Sequence, residues 1–293
     1  MQNSTRLVLD RRSLFHGRRR RTYTLVRPAE PDSGAAVVLV LHGTLQTGDS
    51  IRKFSDGGFD RLGLGGNIVV YPDALHREWN GARKARMLGR DVAQIDDVGF
   101  LRAVVADVAT TLGLVGDRVY AIGFSLGGQM AIRVIHDDPD LLTAAAIVSA
   151  NQPAPHNLRV RSGAGNPIPV LSMHGTADPL APFAGGYVGF RGMFPKGQHL
   201  SAARTAAYFA RRNGIGTPPA HRWLSPPETV PGARVCRTDY RQSGCAPVTF
   251  YTIVDGGHQI PGVSNGTRLL FGPPTRAINA VDVIAEFFGL DAG

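Results

Sequence analysis

The chain has 293 residues, 43% of them hydrophobic, enough to bury a large core. Its 32 Lys and Arg against 23 Asp and Glu give a formal net charge of +9 and a pI near 10.1. Lys53, Lys84 and Lys196 are the only lysines, and the arginines are interspersed with carboxylates, so this is not the pattern of a nucleic-acid-binding module.

No apolar run reaches the length of a membrane span, and none of signal-peptide length follows the first positive charges. No membrane partner is expected. The chain reads as soluble, and both a cytoplasmic protein and an exported one with its signal removed fit. Two cysteines, Cys236 and Cys245, do not make a disulfide framework; a bridge between them and two free thiols are both open. No break in composition divides the chain, which is expected to form one domain over residues 1–293, with residues 1–20 as an opening strand and basic loop.

Residues 7–9 and 22–26 read as short strands pairing as an antiparallel edge, joined by a basic loop that includes Arg18 to Arg21. That run is expected to be a solvated strand entrance. The continuous apolar stretch 36–41 suits a strand buried on both faces, and it ends in His42-Gly43-Thr44. Residues 67–71 are another such strand. The polar loop after it, residues 76–91, carries Trp79 and Asn80, which either face substrate or anchor the loop. A helix is expected from Asp96 or Asp97, both read as caps, with Val98, Leu101, Val105, Val108 and Leu112 as its apolar stripe.

Residues 119–122 read as a buried strand running into Gly123-Phe124-Ser125-Leu126-Gly127, after which Met130, Val134 and Ile135 recur at helical spacing. Strand, Gly-x-Ser-x-Gly and helix make the context of a nucleophile elbow, a turn so tight that glycines must flank the serine. Ser125 is therefore the candidate nucleophile. The Leu126 N–H at the helix start and the Thr44 N–H in the loop after strand 36–41 are the candidate oxyanion donors.

Strands follow at 144–148 and 168–173, the latter leading into His174-Gly175-Thr176-Ala177-Asp178. Residues 200–212 look helical. Two more strands lie around Arg241 to Gly244, the second (248–253) ending at Asp255-Gly256-Gly257-His258, and a closing helix uses Ile278, Val281, Ile284, Phe287 and Phe288. Parallel sheets gather their sites beyond the C-terminal ends of strands. Ser125, Asp178 and His258 stand there in the chain order Ser, Asp, His, with Asp178 orienting the imidazole and His258 moving the proton. Asp255 is too near His258 in the same turn to be the obvious orienter, and His42 and His174 suit supporting roles. The scattered histidines form no metal-ligand pattern, so no metal is expected.

Leu41 to Gln46, Tyr71-Pro72-Asp73 with Trp79-Asn80, Asp96 to Leu101, Gly123 to Gly128, His174 to Asp178 and Gly256-Gly257-His258 together resemble the esterase/polyhydroxybutyrate depolymerase family, which includes feruloyl and acetylxylan esterases. The resemblance runs from about Arg20 to Phe288. It implies an α/β-hydrolase fold: a mostly parallel sheet of about eight strands, helices on both faces and no large cap domain. It also implies a cofactor-free serine ester hydrolase with Ser125, Asp178 and His258 as its triad. Where relatives often have Trp-Pro-Gly after the histidine, Gln259-Ile260-Pro261-Gly262 puts an isoleucine.

The leading expectation is hydrolysis of polyhydroxyalkanoate-like esters, with feruloyl or acetylxylan esters as the alternative. Acyl transfer and a non-catalytic binding role stand behind them. The partner expected is a small-molecule or polymeric ester, and the oligomeric state is left open. Residues 151–167 and 181–197, rich in Gly, Pro and Asn, suggest loops around an open cleft in which Trp79, Phe183 and Phe194 could supply flat contacts.

Overall fold

A computed structural model describes residues 6–84, 92–160, 165–189, 197–225, 233–263 and 268–293. The strands are β1 (Leu7–His16), β2 (Arg19–Pro28), β3 (Val37–Leu41), β4 (Ile68–Pro72), β5 (Val119–Phe124), β6 (Ala144–Val148), β7 (Val170–Gly175), β8 (Gly186–Tyr187), β9 (Gln198–His199), β10 (Ala220–Leu224), β11 (Val235–Tyr240) and β12 (Val248–Ile253). The helices are α1 (Gly48–Phe54), α2 (Arg61–Leu64), α3 (Asp97–Leu112), α4 (Leu126–Asp137), α5 (Ala202–Arg212), α6 (Arg268–Phe271) and α7 (Ala280–Phe288).

Ten strands form one sheet in the order β1-β2-β4-β3-β5-β6-β7-β12-β11-β10. From β4 to β12 every neighbouring pair is parallel, while β1 and β2 at one edge and β11 and β10 at the other are antiparallel. The sheet is therefore two strands wider than the eight expected. Alternation along the strands divides the core by face. Val37, Leu39, Leu41, Ala121 and Ile147 meet Phe100 and Val104 of α3, Met130 of α4 and Phe209 of α5. Val38, Val40, Ile122, Val148 and Met173 meet Ile51 of α1, Leu62 of α2 and Ile284 and Phe288 of α7. Each fully buried Val, Leu, Ile, Met or Phe side chain among them contributes about 1.5–3 kcal/mol of transfer free energy.

The first hairpin differs most from its sequence reading. Both strands are ten residues long, and the basic run lies in strand, not loop, apart from Arg18 at the turn. β1 has a partner on one side only and alternates between exposed and half-buried positions, so its polar sequence hides a strand. Arg21 is not solvated: it is 2% exposed, with Nη2 2.7 Å from Asp97 Oδ1 and its guanidinium carbon 3.7 Å over the Phe100 ring. Asp96 caps α3 by accepting the Gly99 N–H, whereas Asp97 is a buried ion-pair partner, more than a cap. The core face of α3 is Phe100, Leu101, Val104 and Val108, with Val98, Val105 and Leu112 on its partly buried flank. β7 begins at Val170 because Pro169 has no N–H to give the ladder. α5 starts at Ala202, where Ser201 accepts the Arg204 N–H as its cap. Cys236, on β11, and Cys245 are both free thiols, with no disulfide between them.

Register places the site. Leu41 is paired with Gly123, Phe124 with Val148, Val148 with Met173, and Gly175 with Ile253. The ends of β3, β5, β6, β7 and β12 thus lie level along one edge of the sheet, and the loops beyond them share one surface.

Candidate active site

Ser125 follows the last residue of β5 and precedes the first of α4, with φ 54° and ψ −115°. Such a backbone is strained for a residue with a Cβ and recurs at functional turns. The glycines on either side permit it: a Cβ at Gly123 would stand 2.3 Å from Gly127 O, and one at Gly127 1.9 Å from Leu41 O. Ser125 is partly exposed. Its N–H is donated to Val148 O at 2.9 Å, which joins the elbow to the end of β6.

His258 and Asp178 meet across neighbouring loops. Thr176 N–H is donated to Ile253 O and Ala177 N–H to Gly256 O, each at 2.9 Å, so the turn after β7 is stitched to the turn after β12. His258 Nδ1 lies 2.8 Å from Asp178 Oδ2. The carboxylate accepts there, so Nδ1 carries the proton and Nε2 is left as a base. Asp178 Oδ1 accepts the Leu180 and Ala181 N–H groups, both at 2.8 Å. His174 Nε2 stands 3.3 Å from Oδ2 while donating to Ala181 O at 2.7 Å. Burial pushes the Asp178 carboxyl up, but His258 and His174 together outweigh it and hold the group well below the usual carboxylate range. Asp255 is exposed and spends its N–H on Thr176 Oγ1 at 2.8 Å.

Phe124 brings His258 to the elbow, with ring centroids 5.2 Å apart. Among the described residues Ser125 Oγ makes no hydrogen bond, to His258 or any other group; such contacts commonly tighten only when substrate binds.

The loop after β3 lies against the same serine. A Cβ on Gly43 would stand 3.4 Å from Ser125 Cβ and 3.3 Å from the Phe124 ring. Gly43 N–H is occupied by Gln46 Oε1 at 2.7 Å and Leu45 N–H by Arg77 O at 3.1 Å. The Thr44 and Leu126 N–H groups bond to no other described residue. Leu45 has φ 62°, an uncommon conformation for a bulky residue.

His42 supports this loop from below. Its Nε2 accepts the Ala74 N–H at 3.0 Å and its Nδ1–H is donated to Gly43 O at 2.8 Å. Burial lowers its pKa to about 4, so it is neutral at pH 7. Trp79 is 2% exposed and donates Nε1–H to His42 O at 3.0 Å. Asn80 is buried as well, its Nδ2 donating to Ile95 O and Ala93 O. Both side chains anchor the loop. Phe183 is partly buried against the core, and Phe194 lies outside the described residues.

Three contributors were not legible in the sequence. Phe54 and Phe271 flank the Phe124–His258 pair and stand at no periodic position. Ser149, after β6 with φ 53°, ties the histidine loop by donating Oγ–H to Gln259 O at 3.1 Å. The four-residue spacing of His174 and Asp178 past a strand end is the one signal that could have joined that pair. Among the described residues no three His, Cys, Asp or Glu side chains are grouped to hold a metal ion. No described helix is long and apolar enough to cross a membrane.

NocK of Nocardia uniformis subsp. tsuyamanensis, a protein with a provisional esterase name, is 31% identical over 274 residues, covering 89% of this chain and 75% of that protein. Feruloyl esterase C of Emericella nidulans is 28% identical over 241 residues, 82% of this chain and 70% of the relative. An acetyl xylan esterase from Aspergillus awamori superposes with a TM-score of 0.58 at 15% identity, over 96% of this chain and 99% of that one, a likeness of fold. The alpha/beta hydrolase family profile matches residues 37–269, and with strands, turn and loops arranged as described, the chain belongs to the alpha/beta hydrolase family.

Proposed function

We propose that this protein is a serine carboxylic ester hydrolase acting through an acyl-enzyme on Ser125. Asp178 keeps the proton on His258 Nδ1, so Nε2 takes the proton of Ser125 Oγ as that oxygen attacks the ester carbonyl. The Thr44 and Leu126 N–H groups donate to the developing oxyanion, His258 returns the proton to the departing alcohol, and water repeats the sequence to free the acid. The observation that carries this reading is the His258–Asp178 contact of 2.8 Å beside a strained serine elbow.

Among ester classes, a hydroxycinnamoyl or acetyl ester of a sugar leads. The relatives named above carry esterase and feruloyl esterase names, which favour it over the hydroxyalkanoate ester that the sequence resemblance put first. The test is kcat/KM on methyl ferulate, acetylated xylan and 3-hydroxybutyrate oligomers. A preference of about 100-fold for the oligomers, about 2.7 kcal/mol of transition-state binding, reverses the ranking. Failure to turn over any ester, with no labelling of Ser125 by a fluorophosphonate, removes the reading altogether.

A further inference from the structure

Ile260, where the sequence resemblance leads one to expect an aromatic residue, is 1% exposed, so it offers a substrate no surface. Aromatic surface at the site comes instead from two distant parts of the chain. Phe54, the last residue of α1, stacks on Phe124 with centroids 5.3 Å apart and stands 5.8 Å from Phe271, the last residue of α6. Phe271 lies nearly parallel to the His258 ring, at 15° and 6.3 Å, and its carbonyl oxygen accepts the His258 N–H at 2.6 Å. Phe124 and His258 are buried, whereas Phe54 and Phe271 are both partly exposed. The exposed rings of this cluster are therefore the two that adjoin the elbow and the imidazole. Apolar surface continues from them along α6, where Leu269 is 79% and Leu270 43% exposed. Exposed apolar groups gathered beside a reactive serine are costly to leave in water and are characteristic of binding sites.

We infer that Phe54 and Phe271 form an aromatic wall that takes the flat, apolar half of the ester, a hydroxycinnamoyl-type group. The inference rests on the serine esterase reading for its orientation to Ser125 but not for its binding chemistry. An aromatic ring stacks offset on one phenylalanine or edge-on to the other, and removes apolar area from water on both sides. An acetyl group is too small to reach across both rings. The two phenylalanines thus act on discrimination between esters more than on the proton relay.

Calorimetric titration of the Ser125→Ala protein with methyl ferulate and with methyl acetate separates binding from turnover. Methyl ferulate should bind more tightly, and Phe54→Ala or Phe271→Ala on that background should weaken it about 10-fold or more, with affinity restored by tyrosine at the same position. Unchanged affinity, or no measurable methyl ferulate binding to the Ser125→Ala protein, overturns the inference. In the protein with Ser125 intact, the kcat/KM ratio of methyl ferulate to methyl acetate should fall about 10-fold or more in either alanine variant; an unchanged ratio also overturns it. Should an alanine variant not fold, Phe54→Leu and Phe271→Leu keep apolar volume without a flat face and should still lose the preference. Phenylalanine-dependent binding of methyl ferulate by a protein that hydrolyses no ester would sink the esterase reading and leave the aromatic wall standing.

Discussion

Trp79 donates its indole N–H to the carbonyl oxygen of His42 at 3.0 Å, and with the Leu45 N–H given to Arg77 O this bond ties the loop after β4 to the loop that carries Thr44. The next residue, Asn80, donates its backbone N–H to Asp97 Oδ2 at 2.8 Å, and the other oxygen of Asp97 is held by Arg21. Arg21 also donates to Asp73 O at 3.1 Å, one residue before the Ala74 N–H that His42 accepts. The edge hairpin, α3 and the loop beside the serine are thus joined by a continuous set of hydrogen bonds around one buried ion pair.

Removing one member of that pair leaves the other charge buried and uncompensated, which costs about 3–5 kcal/mol. Arg21→Met and Asp97→Asn should each lower stability on that scale in urea unfolding, whereas Arg21→Met with Asp97→Leu should recover most of the loss. Single variants within about 1 kcal/mol of the parent would show that the pair contributes little to holding this region.

Ser125→Ala should abolish turnover of p-nitrophenyl acetate while leaving the fold unchanged, because among the described residues no other hydroxyl lies between a strand and a helix in a turn of this kind. Losses of about 10⁴-fold or more are usual for such a serine. A fluorophosphonate should label the parent protein on Ser125 alone, as read by peptide mass spectrometry. Normal activity in a folded variant rules out the assignment.

Asp178→Asn should keep the packing but lose the acceptor that selects the Nδ1–H tautomer of His258, costing about 10⁴ in kcat. Asp255→Asn, at an exposed position with no carboxylate contact to His258 among the described residues, should cost far less. The opposite ranking would identify Asp255 as the orienter.

Gly43→Ala tests the second oxyanion donor without replacing a triad residue. The added Cβ would stand 2.9 Å from Gln46 Oε1 and 3.3 Å from the Phe124 ring, displacing the Gln46 side chain that accepts the Gly43 N–H and so loosening the loop beside Ser125. A displaced donor should reduce kcat about 10-fold or more, since loss of one donor outright costs about 10²–10³, with KM changing less. A variant with parental kcat would place the oxyanion elsewhere.

Stability should fall as pH drops from about 6.5 to about 4. Burial lowers both His42 and His199 to about 4, so over that window the unfolded chain binds protons that the folded chain does not, and stability rises with pH. Each histidine adds a slope of up to about 1.4 kcal/mol per pH unit. Asp178, depressed in the fold, contributes stability above its unfolded value near 4 and loses it only at more acid pH. Urea midpoints at pH 7, 5.5 and 4.5 check this, with His199→Gln expected to flatten the dependence; a flat parental profile contradicts it.

The parallel strands were legible because burial on both faces makes them continuous apolar runs: residues 144–148 coincide with β6, and the runs for β3, β4 and β12 agree within a residue. The edge strands were not. β10 runs Ala220-His221-Arg222-Trp223-Leu224, with the first four exposed, and pairs only with β11, so its side chains carry no core pattern. The same one-sided pairing hid most of β1.

Local chemistry written within a few adjacent residues was readable without a structure. The glycines around Ser125 announce a tight turn because backbone crowding leaves no room for a Cβ, and the strand ends at Asp178 and His258 announce loops on one edge because parallel strands must finish together. What depends on residues far apart in the chain was decided by tertiary structure alone. Arg21 meets Asp97, His174 comes to stand beside Asp178, Trp79 turns inward to His42, and Phe54 comes to face Phe271 across 216 intervening positions' worth of fold. Periodicity reports which face of an element is buried, but not which residue from another element arrives there, since that is set by how helices and loops pack across the completed sheet.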